Sequence, residues 1–119
     1  MPGFFIKRVY EPPEPEDGAR VLVDRLWPRG LKKEDAAIDL WARHLAPSHE
    51  LRRWFGHRPE RWAEFRSRFR EELMSPEARE QLEALEALVG KIRITLLYAA
   101  RDEAMNNAQA LREFLRERQ

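Results

Sequence analysis

Cysteine is missing from this sequence altogether, and that single absence removes disulfides, thiolate catalysis and cysteine-type zinc sites. Lysine is scarce as well. It stands only at Lys7, Lys32, Lys33 and Lys91, so the basic charge is carried mostly by arginine. A surplus of either sign is also lacking: 22 basic residues face 21 acidic ones, for a formal charge of +1. So even a balance gives no global electrostatic case for nucleic acid or an anionic membrane, and any anion site has to be local. No apolar run approaches the roughly 18–20 residues needed to span a bilayer. The opening Met1-Pro2-Gly3-Phe4-Phe5-Ile6-Lys7 lacks a basic segment followed by a long apolar stretch, so no secretory signal is read there. The expected location is the cytoplasm, with no membrane partner. His44, His49 and His57 show no ligand spacing with one another or with a carboxylate pair. There is no phosphate-cradling glycine loop and no dinucleotide fingerprint. Neither a metal nor a cofactor is expected.

What remains suffices for one domain over residues 1–119, with 43% hydrophobic residues for a core and an unusually charge-rich 36% for the surface. Residues 4–9 form a short β-prone run. Glu11-Pro12-Pro13-Glu14-Pro15-Glu16-Asp17-Gly18 follows, and its prolines, glycine and acids suit only an exposed loop. Residues 20–26 hold Val21-Leu22-Val23, a continuous apolar run suited to a strand covered on both faces. Residues 36–42 suggest a third strand, though helix competes there. Ser48 is an N-cap for a short helix that Gly56 ends. Pro59 opens a second helix, with Trp62, Phe65, Phe69 and Leu73 on one face. Ser75-Pro76 opens a third, with Leu82, Leu85 and Val89 as its stripe and Gly90 closing it. Residues 92–98 are the clearest strand, and Asp102 is read as the cap of a final helix bearing Leu111, Phe114 and Leu115. Strands separated by helices predict an α/β fold, a mainly parallel sheet of about four strands flanked by helices. Ligands of such sheets sit beyond the carboxyl ends of the strands.

Two segments at predicted strand ends carry chemistry. Asp24-Arg25-Leu26-Trp27-Pro28-Arg29-Gly30 offers a carboxylate, two guanidinium forks and an indole face for stacking. Its bland reading is a structural ion pair of Asp24 with Arg25 or Arg101, beside a capping tryptophan. Tyr98-Ala99-Ala100-Arg101-Asp102-Glu103-Ala104-Met105-Asn106-Asn107 leaves space at a strand end, then enters a helix start, where free N–H groups and the helix dipole favour anions. Its bland reading makes Asp102 a cap and the asparagines solvated. Ser48 is either an N-cap or a donor to an oxyanion at the same helix start. The 52–70 segment interleaves Arg52, Arg53, Arg58, Arg61, Arg66, Arg68 and Arg70 with Trp54, Phe55, Trp62, Phe65 and Phe69. That mixture suits nucleic acid, but helical spacing sends most of the aromatics to a core and makes the arginines a solvated face.

These same residues carry a resemblance. Arg20-Val21-Leu22-Val23-Asp24-Arg25-Leu26-Trp27-Pro28-Arg29-Gly30 resembles the opening motif of the YeaO-like proteins, grouped as domain of unknown function 488. So do Leu45-Ala46-Pro47-Ser48 with Glu50-Leu51-Arg52-Arg53-Trp54-Phe55-Gly56-His57, Pro59-Glu60-Arg61-Trp62 through Phe65, and Leu96-Leu97-Tyr98-Ala99-Ala100-Arg101-Asp102 with Asn106. The resemblance implies a compact bacterial or archaeal α/β domain with its motifs grouped at one sheet edge; it supplies no activity. Other members often carry histidine where this chain has Met105, and methionine cannot transfer a proton. Longer proteins of the same grouping carry cysteine motifs near the last strand, where this chain has Tyr98 and small residues, so thiol chemistry does not carry across.

The expected function is binding of a small anionic ligand, phosphate-bearing or nucleotide-like. Arg25, Arg29 and Arg101 would hold the anion, Trp27 would stack, and Ser48 and Asn106 would hydrogen-bond. Asp24 or Asp102 would serve as general base if there is chemistry. The alternatives are a nucleic-acid module using the 52–70 face and a structural or regulatory partner protein. All of this requires segments 24–30, 45–48 and 98–106 to converge on one hollow. Oligomeric state is not legible in the sequence.

Overall fold

The computed structural model describes residues 3–88 and 92–118. In chain order these form β1 (Phe4–Arg8), β2 (Ala19–Leu22), α1 (Lys33–Ala36), β3 (Leu40–Trp41), α2 (His49–Phe55), α3 (Trp62–Glu72), α4 (Pro76–Glu86), β4 (Ile94–Tyr98) and α5 (Asn107–Glu117), with short 3-10 turns at Pro15–Asp17, Arg43–Leu45 and Pro59–Arg61. The four strands make one sheet in the order β1-β4-β2-β3, and every pairing is parallel. The fold is α/β, as the alternation of strands and helices predicts. No helix among the described residues is long and apolar enough to cross a membrane.

Alternation along the strands assigns the two faces. Phe4, Val21, Val23, Ile94, Leu96 and Tyr98 point to one side and join Leu51, Phe55, Phe65, Phe69, Leu82, Leu85, Leu111, Phe114 and Leu115 from the helices in the main core. Leu22 and Leu97 point to the other side, where with Val9 they are covered by Trp27, Leu31, Ile38 and Trp41 from the segment after β2. Further down that second face the covering is ionic. Arg20, 4% exposed, bonds Asp17 at 2.5 Å and the carbonyls of Ala36 and Ala37. Lys7 reaches the same carboxylate at 3.1 Å, and the Thr95 hydroxyl donates to the Asp17 carbonyl. Gly18 follows with φ +66°, and a Cβ there would lie 2.1 Å from the Arg93 carbonyl oxygen, so only glycine lets the loop pass this close to the strand.

Several boundaries differ from the sequence expectation, each for a tertiary reason. The third strand contracts from residues 36–42 to Leu40–Trp41, because Ala36 ends α1 and Ala37 adopts a left-handed φ of 49°. That turn aims two carbonyls at the buried Arg20 guanidinium. The second strand ends at Leu22 rather than 26: Val23 still donates to Leu97, but Asp24 then takes the next strand-end N–H with its side chain. Helix α3 starts at Trp62, with Pro59 in the preceding 3-10 turn. Helix α4 ends at Glu86; Val89 and Gly90 lie outside the described residues. The last helix is capped by Asn106, not Asp102. The Asp102 carboxylate instead accepts from the N–H groups of Ala104 and Met105, capping its own turn.

Candidate functional site

β2 and β4 lie side by side at the centre of the sheet, with Leu22 opposite Leu97, so their carboxyl ends open at one place. Asp24 ties that place together. Its carboxylate accepts from the Ala99 N–H at 3.0 Å and from the Asn107 side-chain amide at 3.1 Å, and its carbonyl accepts from the Trp41 indole N–H at 2.7 Å. The same Asn107 amide donates to the Val23 carbonyl at 2.7 Å, so the start of α5 is pinned to the end of β2. From the end of β1, Arg8 donates to the carbonyls of Ala99 and Ala100. Burial pushes the Asp24 carboxyl above its ordinary value, against the lowering effect of its two donors and of the nearby Arg52 charge.

In front of this knot is a hollow of about 320 Å³. Leu26, Pro47, Ala100, Met105 and Asn106 line it, so the three sequence segments do converge on one cavity. They contribute mainly apolar wall. The polar lining comes mostly from α2 and its exit: His49, Arg52, Arg53 and His57, with Phe55 and Phe65 as aromatic wall. His49, Arg52 and Phe55 succeed one another at three-residue intervals, which stacks them along one side of the helix. Ser48 starts that helix by accepting from the Leu51 N–H, and Gly56 ends it in the left-handed conformation. His57 is left-handed too, at φ 56°. For a residue with a Cβ that geometry costs roughly 1–2 kcal/mol, and strain of this kind gathers at functional sites.

Among the residues given a binding or catalytic role from the sequence (Asp24, Arg25, Trp27, Arg29, Ser48, Arg101, Asp102 and Asn106), only Asn106 lines the hollow. Its side chain caps α5 through the Gln109 N–H and donates back to the Asp102 carbonyl. Arg25 lies behind the wall, donating to the Ala46 carbonyl at 2.8 Å. Trp27 is on the opposite sheet face, edge-on to Trp41 at 5.6 Å, with its indole N–H on the Leu31 carbonyl. Arg29 and Arg101 are exposed and line none of the described hollows. Asp102 is exposed, and the Met105 and Ala104 N–H groups hold its carboxyl below the usual range, which ill suits a general base. Ser48 borders a different depression, where its hydroxyl donates to Glu72 at 2.5 Å and its N–H to the other oxygen at 2.7 Å. Its oxygen is occupied with the fold. Ser48→Ala is therefore expected to lower stability by about 1–2 kcal/mol and to leave the affinity of any ligand in the hollow unchanged, as chemical denaturation and calorimetry on the same variant would check.

Sequence reasoning passed over His49 and His57, which have no motif spacing, and assigned Arg52 and Arg53 to a solvated face. The available signal was their distance from a helix start: 49, 52, 53 and 57 follow a cap that itself follows the Leu45-Ala46-Pro47 turn. Among the described residues, no group of three or more histidines and carboxylates is placed to hold a metal ion.

The family described as "Inactive DUF488-N3 subclade" matches residues 4–119. Uncharacterized proteins of Mycobacterium bovis and of Mycobacterium tuberculosis strain H37Rv are each 44% identical over 110 residues, covering 92% of this chain and 91% of theirs. The uncharacterized protein YeaO of Escherichia coli K12 is likewise 44% identical over 110 residues, or 92% of this chain and 94% of its own. No solved structure matches. With a family match running from residue 4 to residue 119 and this identity across nine-tenths of the chain, the protein belongs to the YeaO-like DUF488 family, in its inactive N3 subclade.

Proposed function

We propose that this protein binds a small anionic ligand, phosphate-bearing or nucleotide-like, in the hollow at the strand ends, and does no chemistry on it. One observation carries the reading: Arg52 and Arg53 stand exposed on the wall of a 320 Å³ cavity with no ion pair among the described residues. Guanidinium groups outside any ion pair among the described residues, beside the Asn106–Asn107 start of an eleven-residue helix, form a local field suited to an anion. Against catalysis, the lining holds no carboxylate, hydroxyl or thiol, and Asp24 is engaged behind the wall. The family is described as inactive. Met105 lines the cavity at the position where other members often carry histidine. The nucleic-acid reading has less support, because four of the seven arginines between 52 and 70 are engaged within the chain. Arg66 pairs with Glu113, Arg68 with Glu64 and Arg70 with Glu117, while Arg61 donates to the Trp54 carbonyl.

The test is a thermal-shift and calorimetric series with inorganic phosphate, sugar phosphates and nucleotides, since a ligand selective for the native state raises its stability. At least one phosphate-bearing compound should raise the melting temperature in a concentration-dependent way. Arg53→Ala should remove the effect and Arg101→Ala should retain it. His57→Gly should weaken binding while leaving stability within about 1 kcal/mol, because glycine relieves the left-handed strain but makes the unfolded chain more flexible. Flat curves across the panel would dispose of the proposal.

A further inference from the structure

Resting on that reading, we infer that the ligand is amphipathic, a ring-bearing anion such as an aryl or nucleoside phosphate rather than a bare oxyanion. The hollow offers far more room than a lone tetrahedral ion can use, since about 320 Å³ is many times the roughly 10–15 Å³ that one water requires. Its aromatic wall is Phe55 and Phe65, both buried in the core behind it. At its mouth stands Leu26, 70% exposed and the most exposed large hydrophobic residue among those described. An exposed leucine alone carries no message. Here it stands on the rim of a cavity whose inner wall is aromatic and whose cations come from a separate element, α2. A bare anion satisfied by Arg52 and Arg53 would leave Leu26 and the half-buried Ala100 and Met105 of the lining against water. A ring attached to the anion removes them from it, and that apolar burial adds to affinity without competing for the guanidinium groups.

The experiment is calorimetry on the full chain with phenyl phosphate, inorganic phosphate and benzyl alcohol, repeated on Leu26→Ser. Phenyl phosphate should bind about tenfold tighter than inorganic phosphate, and benzyl alcohol should bind much more weakly than phenyl phosphate. Leu26→Ser should keep the melting temperature, weaken phenyl phosphate about fivefold and leave inorganic phosphate unaffected. Phenyl phosphate binding no tighter than inorganic phosphate overturns the inference while the anion reading stands. Benzyl alcohol matching phenyl phosphate overturns both, leaving a merely apolar pocket. Failure of all three probes to bind also overturns both. Equal weakening of both phosphates by Leu26→Ser removes the leucine wall from the recognition and overturns the inference.

Discussion

Asp17→Ala should lower folding stability by about 3–5 kcal/mol, the loss typical of removing one partner from a buried ion pair. The carboxylate is 6% exposed and accepts from Arg20, Lys7 and the Glu14 N–H. Arg20 is more deeply enclosed still, and its remaining N–H groups are held by the carbonyls of Ala36 and Ala37. Without Asp17 that guanidinium keeps its charge beneath the sheet with nothing to balance it. Urea denaturation measures the loss, and a change below about 1 kcal/mol would show the network to be incidental. Adding Arg20→Met to the alanine variant should recover part of the loss, because an apolar chain of similar length leaves no unpaired charge. The pH dependence follows from the same contacts. Burial pushes the Asp17 carboxyl upward, but the Glu14 N–H, the Lys7 ammonium and the Arg20 guanidinium outweigh it and hold the group below its ordinary 3.8. Its contribution is therefore present above pH 3.8 and disappears as the pH falls through the lowered value.

Asp24 titrates in the opposite sense. Burial raises its carboxyl above 3.8, with Asn107, Ala99 and Arg52 only partly offsetting the effect. The native state thus holds this proton more tightly than the unfolded chain does, and stability declines as pH rises from 3.8 through the raised value. Asp24→Asn should flatten that decline. Arg52→Ala should extend it to higher pH, since the favourable charge is gone. Denaturation midpoints from pH 4 upward, compared between wild type and Asp24→Asn, isolate the effect; superimposable profiles would mean that Asp24 does not titrate abnormally. Asp24→Ala is harsher, because the Ala99 N–H and the Asn107 amide lose their acceptor, at about 1–3 kcal/mol for each buried donor left unpaired. It also removes one of the two bonds by which Asn107 holds the start of α5 to the end of β2, leaving only the one to the Val23 carbonyl, so ligand affinity should fall with stability. In Ser48→Ala, by contrast, stability falls alone.

Much of the architecture was legible because it depends on near neighbours. Ser48 and Ser75 cap their helices through the N–H groups of Leu51 and Ala78, three residues on, and Gly56 ends α2 as a left-handed residue. The final helix was misread by four residues for a reason that is not local. Asp102 and Asn106 are both competent caps, and the choice went to Asn106 because the neighbouring Asn107 reaches back across the chain to Val23 and Asp24. The candidate site was legible only as a location. Strand-end segments meet there, as open parallel sheets require, yet the arginines selected on them are engaged or directed elsewhere.

The sequence by itself determined the α/β class, the main helices and their caps, and the end of the sheet where a site would form. Periodicity, capping and turn chemistry act over four residues or fewer, so they can be read along the chain. Only the tertiary structure decided the strand order, with β4 inserted between β1 and β2, and which cations face the hollow. Arg8, Arg20 and Arg25 are captured by carbonyls 92, 16 and 21 residues away. No sequence pattern encodes a long, flexible guanidinium's choice among such distant acceptors, nor that Arg52 and Arg53, rather than Arg29 or Arg101, face the hollow.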